Sequence, residues 1–196
     1  GVAATLKNGI TYYPESAQDE IWADGPDTVI SSSFAPRGAG KAVEGGYLVN
    51  GTWDYSSGAD HAQWVQLGFR VDGEEGLSYL GLLPRADYEI IDNWHTVGLR
   101  GTGSKRIVVK DMFVPEHRCW GPGLLAPSLA PGLHDNWIYR IPFIFTATNF
   151  VAVVLGAADG AVEAYRSGLT ARKRAHTDQP RIDNPLAYVR LAESAT

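Results

Sequence analysis

The sequence predicts an α+β protein: an antiparallel β-sandwich or barrel, followed by the first helices of a helical bundle. Three observations carry this. Between Thr28 and Val114, short β-branched and aromatic runs alternate with turn signals, the pattern of a sandwich or barrel. Pro115 to Asp135 is rich in Pro and Gly and reads as an ordered connection. Beyond it the pattern turns helical, with Pro placed after Ile141 and Asn184, where a fixed φ and a missing N–H suit a first turn.

Residues 1–14 carry too little periodicity to assign. Asp24-Gly25-Pro26-Asp27 is a turn cluster, and Thr28 to Phe34 reads as a strand that ends at Ala35-Pro36. Arg37-Gly38-Ala39-Gly40 reads as a plain loop, because no Lys-Ser/Thr follows to make it a phosphate cradle. Asn50-Gly51 is expected to turn a hairpin, since both central residues of a type I′ turn need positive φ. If the outgoing strand is regular, alternation puts Trp53, Tyr55 and Ser57 on one face and Thr52, Asp54 and Ser56 on the other. Two rings and a hydroxyl in a row have two readings: a wall for a flat ligand with polar edges, or the packed face of a half-buried hairpin. Gly58 ends the strand.

Trp64–Val71, Leu77–Leu83, Tyr88–Ile91 and Lys105–Val114 read as further strands. The loop Trp94-His95-Thr96-Val97-Gly98-Leu99-Arg100-Gly101-Thr102-Gly103-Ser104 either receives an anion or is a surface loop with a solvated Arg. Phe143 to Leu155 is apolar nearly all round and is expected to be buried on most sides. Its run is shorter than the ~20 residues a bilayer needs. The helical pattern continues to the basic run Arg172-Lys173-Arg174, favourable at a helix C-terminus, and a second helix is expected over Leu186–Thr196.

Composition narrows the function classes. The 196 residues are 44% hydrophobic and 20% charged, as in ordinary globular proteins. A net charge of −5 gives no reason to expect nucleic acid or a membrane as partner. The single cysteine, Cys119, excludes an internal disulfide and fits a cytoplasmic setting. No metal-ligand spacing is present, and none of His61, His95, His117, His134 or His176 has the spacing of a catalytic base. The chain starts without Met and stops on a helical pattern, so both ends are expected to be cut from something longer.

Ile21-Trp22-Ala23-Asp24-Gly25-Pro26-Asp27, Ser33-Phe34-Ala35-Pro36, Gly45-Gly46-Tyr47, Gly51-Thr52-Trp53, Ser57-Gly58, Asp60-His61-Ala62 and residues 98–104, in that order, resemble the flavin-dependent monooxygenases of the acyl-CoA dehydrogenase-fold superfamily. These are the oxygenase components of two-component aromatic hydroxylases. The resemblance covers nearly all of residues 20–196. It implies an acyl-CoA dehydrogenase-like architecture whose N-terminal helical domain is missing here. The expected divisions are an N-terminal remnant at 1–19, a flavin-facing β domain at 20–118, a connection at 119–135, and the start of the helical bundle at 136–196.

The resemblance also implies chemistry: reduced FMN or FAD from a separate flavin reductase, O2, a small aromatic or polycyclic substrate, and a homotetramer, with no metal. Ser57 takes the place of the hydroxyl residue beside flavin N5, the catalytic position. Tyr55 takes that of an aromatic flanking the ring. Ser31, Ser33 and Phe34 match the strand that meets the pyrimidine edge, and Arg172 matches an Arg that reaches the phosphate side of a flavin in a neighbouring subunit. The substrate's base is expected outside this segment. Oxygenated flavin is lost to hydrogen peroxide unless water is excluded and N5 is held, which a Ser in an aromatic-walled pocket can do. Phe34-Ala35-Pro36 and Tyr55-Ser56-Ser57 stand where the dehydrogenase branch carries Thr-Glu-Pro and Trp-x-Thr, which favours the oxygenase branch. The alternatives are an acyl-CoA dehydrogenase-type FAD enzyme and a non-catalytic fragment.

Overall fold

The structure is a computed structural model. It describes residues 6–74, 77–121, 136–140, 148–173, 178–180 and 183–194. The chain divides into two units, Gly1–Thr146 and Ala147–Thr196.

The first unit is built on one mixed seven-stranded sheet, ordered β5-β6-β2-β1-β3-β4-β7. Its strands are β1 (Ile30–Val43), β2 (Gly46–Ser56), β3 (Trp64–Val71), β4 (Tyr79–Pro84), β5 (Glu89–Ile91), β6 (Lys105–Pro115) and β7 (Cys119–Trp120). The expectation of a purely antiparallel sheet is corrected: β1 and β3 pair in parallel, with β2 as the long crossover that a parallel pair needs.

The sheet curls. In a flat sheet β2 and β4, three places apart, would lie ~14 Å from each other at ~4.8 Å per strand. Instead the rings of Tyr47 and Tyr79 are 5.4 Å apart. Val65, Leu67, Phe69 and Val71 of β3 alternate inward with Trp53, Ile107, Val109 and Val114 to fill the concave side. On the convex side Ile10, Tyr12, Tyr13, Ala17 and Ile21 pack against Ile30, Leu80, Leu82 and Trp120. Ile10 and Tyr12 come from a 3-10 helix at Leu6–Tyr12, Ala17 and Ile21 from helix α1 (Glu15–Trp22), and Tyr13 from between them. Part of the expected N-terminal remnant therefore supplies core side chains. Periodicity hid them, because they cover a sheet instead of forming a long amphipathic helix. Cys119 and Trp120, expected in the connection, are a buried strand against β4. Residues 122–135 lie outside the described residues.

Two turn readings are corrected for one reason. The hairpin between β1 and β2 turns at Glu44-Gly45, where Gly45 has φ +78°. Asn50 and Gly51 lie inside β2, and residues 35–40 lie inside β1. A Cβ on Gly38 or Gly51 would sit 2.3 or 2.6 Å from the Trp53 indole. These glycines therefore give the indole bare backbone to rest on. Trp53 is fully buried and donates from Nε1 to the Gly68 carbonyl at 2.6 Å. Asn50 faces a bulge in β6: its Oδ1 accepts from the Asp111 N–H at 2.7 Å, and its Nδ2 donates to Asp111 Oδ1 at 2.9 Å. Asp111 has φ +47° there, within the tolerance of Asp for the left-handed region.

The second unit contains α2 (Thr148–Ala171) and α3 (Pro185–Ser194). Asn184 caps α3, its Oδ1 accepting from the Leu186 N–H at 3.2 Å. Among the described residues of the apolar run, Val151, Val153, Val154 and Leu155 are exposed, against the expectation of burial. A helix that is apolar all round needs cover on several sides, and these side chains find none within this unit. Residues 141–147 lie outside the described residues. No described helix is long and apolar enough to cross a membrane.

Candidate functional site

A second bulge makes the site. In the β2–β6 ladder Trp53 pairs with Ile107 and Ser56 with Lys105, so Asp54 and Tyr55 stand opposite Arg106 alone. Tyr55 absorbs the extra residue with φ +66°. Such strain in a non-glycine residue costs of order 1–3 kcal/mol and clusters at functional sites. The bulge breaks the expected alternation. Trp53 and Ser56 are fully buried, while Tyr55 is 70% exposed. Trp53 thus does not share a face with Tyr55, as a regular strand would require.

Tyr55 and Ser57 both reach the segment between β5 and β6. The Tyr55 ring meets Trp94 edge-on at 6.0 Å and 89°. Ser57 Oγ lies 2.7 Å from Ser104 Oγ, which lies 2.7 Å from Thr102 Oγ1. Thr102 donates from Oγ1 to the Leu99 carbonyl at 2.9 Å, and Trp94 Nε1 donates to the same oxygen at 3.1 Å. Leu99 holds that carbonyl from the left-handed region, at φ +55°. The Gly58 N–H donates to the Thr102 carbonyl at 2.8 Å and ties the two loops together.

Asp54, Tyr55, Asn93, Trp94, His95, Thr96, Ser104 and Arg106 line a cleft of about 390 Å³. At its floor Arg106 grips both carboxylate oxygens of Asp54, at 2.8 and 3.3 Å, and Asn93 donates to Oδ1 at 3.2 Å. The Arg106 hydrogen bonds, with that of Asn93, hold the Asp54 carboxyl below its ordinary range. A larger groove of about 480 Å³ beside Arg85 and Met112 contains none of the expected site residues.

The other expected site residues fall as follows. Ser31 is fully buried and its Oγ accepts from Ser56 Oγ at 3.1 Å. Ser33 donates to the Asp54 carbonyl at 2.9 Å. Phe34 packs against the convex-side core. The β1–β2 ladder runs only from Val43/Gly46 to Ala39/Asn50, so the β2-facing backbone edge of residues 31–37 is not in that ladder. Arg172 is exposed just past the end of α2, in the second unit. The anion reading of residues 98–104 gains nothing: their hydroxyls engage each other and Ser57, and Arg100 is exposed. His95 is exposed at the cleft and His117 Nε2 pairs with Glu20 Oε1 at 2.8 Å. His134 and His176 lie outside the described residues.

Sequence reasoning missed Asp54, Asn93, Trp94 and Arg106. In the sequence Trp94 is only the first residue of the glycine-rich loop, with no role of its own. The cleft suits a flat aromatic group with polar edges: Tyr55 and Trp94 wall it, and Ser104, which carries the hydrogen bonds to Ser57 and Thr102, is on its lining.

No protein-family model matches the chain. It is 44% identical over 193 residues to the flavin-dependent monooxygenase, oxygenase subunit HsaA, of Mycobacterium tuberculosis, covering 95% of this chain and 49% of that protein. It is 37% identical over 197 residues to the p-hydroxyphenylacetate 3-hydroxylase, oxygenase component, of Acinetobacter baumannii, covering 97% of this chain and 46% of that one. The chain thus spans about half the length of these relatives. XiaF from Streptomyces sp., solved in complex with FADH2 and glycerol, superposes with a TM-score of 0.82 at 32% identity, over 98% of this chain and 50% of XiaF. An acyl-CoA dehydrogenase from Geobacillus kaustophilus shares the fold, at a TM-score of 0.71 and 16% identity over 97% of this chain and 52% of its own. By sequence the chain is a homologue, over about half their length, of the oxygenase subunits of flavin-dependent monooxygenases, and it shares the fold of an acyl-CoA dehydrogenase.

Proposed function

We propose that this chain is the flavin-facing part of the oxygenase component of a two-component monooxygenase. It takes reduced FMN or FAD from a separate flavin reductase and uses O2 to hydroxylate a small aromatic or polycyclic substrate. The observation that carries this reading is a cleft lined by Tyr55, Trp94 and Ser104, with the Ser57 hydroxyl hydrogen-bonded to that of Ser104. The relatives' names, oxygenase subunits and components of flavin-dependent hydroxylases, support it.

The bound flavin would supply oxygen activation, which belongs to the cofactor. The chain's own residues then have these tasks. Tyr55 and Trp94 flank the ring and keep water from it. Ser57 holds N5 through a hydroxyl placed in advance. The backbone edge at Ser31, Ser33 and Phe34 meets the pyrimidine edge, and Arg172 reaches a phosphate of a flavin in a neighbouring subunit. The Asp54–Arg106 pair neutralises its own charge at the cleft floor and keeps the bulge in place. We further read the first unit as the middle β domain, sandwich- or barrel-like in its curl, and the second as part of the helical domain. The exposed Val151, Val153, Val154 and Leu155 support a homotetramer that covers them. The buried thiol of Cys119 fits a cytoplasmic setting.

The test is anaerobic titration of the full-length protein with reduced FMN and reduced FAD, then mixing with O2 and a phenol while product and hydrogen peroxide are counted. A protein that is colourless as purified, binds reduced flavin and forms hydroxylated product supports the reading. A yellow protein bleached by an acyl-CoA overturns it in favour of a dehydrogenase. Ser57→Ala is expected to raise peroxide release relative to product, and unchanged coupling removes the role given to Ser57.

A further inference from the structure

The hydroxyls around Ser57 form a chain whose direction can be worked out. A hydroxyl has one proton to donate. Two oxygens at 2.7–2.9 Å must have a proton between them. The Leu99 carbonyl can only accept, so the Thr102 hydroxyl spends its proton there, at 2.9 Å. The 2.7 Å contact between Thr102 and Ser104 therefore uses the proton of Ser104. The 2.7 Å contact between Ser104 and Ser57 then uses the proton of Ser57. Ser57 is left with lone pairs only for any other partner. Ser104, the middle member, is buried, while Ser57 and Thr102 are half-buried.

We propose that Thr102 and Ser104 are positioning residues that make Ser57 a hydrogen-bond acceptor toward a bound flavin, so that the site selects reduced over oxidised flavin. This rests on the reading that Ser57 meets flavin N5. Reduced flavin carries a proton on N5 and can donate it to Ser57. Oxidised flavin has only a lone pair on N5, which faces the lone pairs of Ser57. Such an arrangement lets the protein accept reduced flavin from a reductase and release oxidised flavin after turnover. Hydrogen bonds near N5 are a recognised means by which a protein tunes a flavin. The anchor of the relay, the Leu99 carbonyl, also receives the Thr102 backbone N–H and the Trp94 indole N–H, both at 3.1 Å. One strained residue thus orients both the hydroxyls and the aromatic wall.

The experiment measures dissociation constants of the full-length protein for FMN and FAD, each oxidised and, anaerobically, reduced. The readout is the ratio of oxidised to reduced constants, independent of turnover. Thr102→Val keeps shape but removes the hydroxyl. Ser104 then turns its proton to Ser57, and the proton of Ser57 is freed for another acceptor. The ratio is expected to fall ~10-fold, the scale of one hydrogen bond, which for a two-electron couple is ~30 mV in bound-flavin potential. Thr102→Ser restores the relay and should keep the ratio within ~2-fold of wild type. If Thr102 only supports the loop, Thr102→Val weakens both forms equally. An unchanged ratio overturns the proposal while the flavin reading stands. Ser57→Ala separates the two: if reduced-flavin affinity does not change, the contact of Ser57 with N5 is wrong and the proposal falls with it.

Discussion

Asn50 holds Asp111 through two hydrogen bonds, 2.7 and 2.9 Å, across 61 positions of sequence. The pair stands where β6 gains a residue relative to β2. Asn50→Ala leaves the bulged Asp111 N–H without its partner and is expected to cost ~1–2 kcal/mol. Asp111→Asn keeps both bonds open and should be nearly neutral. Urea unfolding of the two variants checks this, and equal effects would contradict it.

Trp53 and Tyr55 are two residues apart and should respond oppositely. Trp53 is sealed in the core, so Trp53→Ala is expected to lose ~3–5 kcal/mol. Tyr55→Gly removes an exposed ring and relieves the φ of +66°, so stability should stay within ~1 kcal/mol of wild type. Affinity for reduced FMN, in contrast, should drop ~5- to 10-fold as one aromatic contact is lost. Denaturant unfolding and flavin titration on the same samples decide it.

Gly38 and Gly51 should tolerate no methyl group. Each would drive a Cβ into the Trp53 indole, at 2.3 and 2.6 Å. Gly38→Ala and Gly51→Ala are therefore expected to cost ~1–3 kcal/mol by overpacking. Gly98, with nothing within 4 Å, should accept Ala without loss. Thermal melts of the three variants, compared side by side, provide the check.

Asp54 sets a small acid-sensitive term. Its folded pKa is depressed, through the Arg106 hydrogen bonds first and with a further bond from Asn93. Its contribution is therefore complete above the unfolded value of ~3.9 and is lost as pH falls through the lower folded value. The pair is about a third exposed, and solvent screening limits it to less than ~1 kcal/mol. Wild type should exceed Asp54→Asn by that amount at pH 7, with the gap closing below pH ~4 and shrinking in high salt. A gap that persists at acid pH would assign the effect to packing.

Most strands were legible because their chemistry is local. Trp64–Val71 and Lys105–Val114 carry β-branched and aromatic side chains between turn signals, and β3 and β6 lie there. Asn184-Pro185 states the start of α3 in three local features: a capping oxygen, a fixed φ and a missing N–H. Gly58 ends β2 with φ +79° as expected. The glycines and Asn50 misled for the opposite reason. Their local meaning is a turn, but what they serve is the Trp53 indole, which lies against Gly38 of β1 as well as Gly51 of β2, and Asp111 of β6.

Composition and motif order suffice for the β-then-helix order, the family resemblance and the presence of Tyr55 and Ser57, since none of these needs coordinates. Folding is what makes an extra residue in β2 turn Tyr55 outward while Trp53 goes inward, and what pairs Ser57 with Ser104, 47 positions away. Register and loop closure are set by which strands pair and how a curled sheet fills its core, and these are relations between distant residues that no short motif encodes.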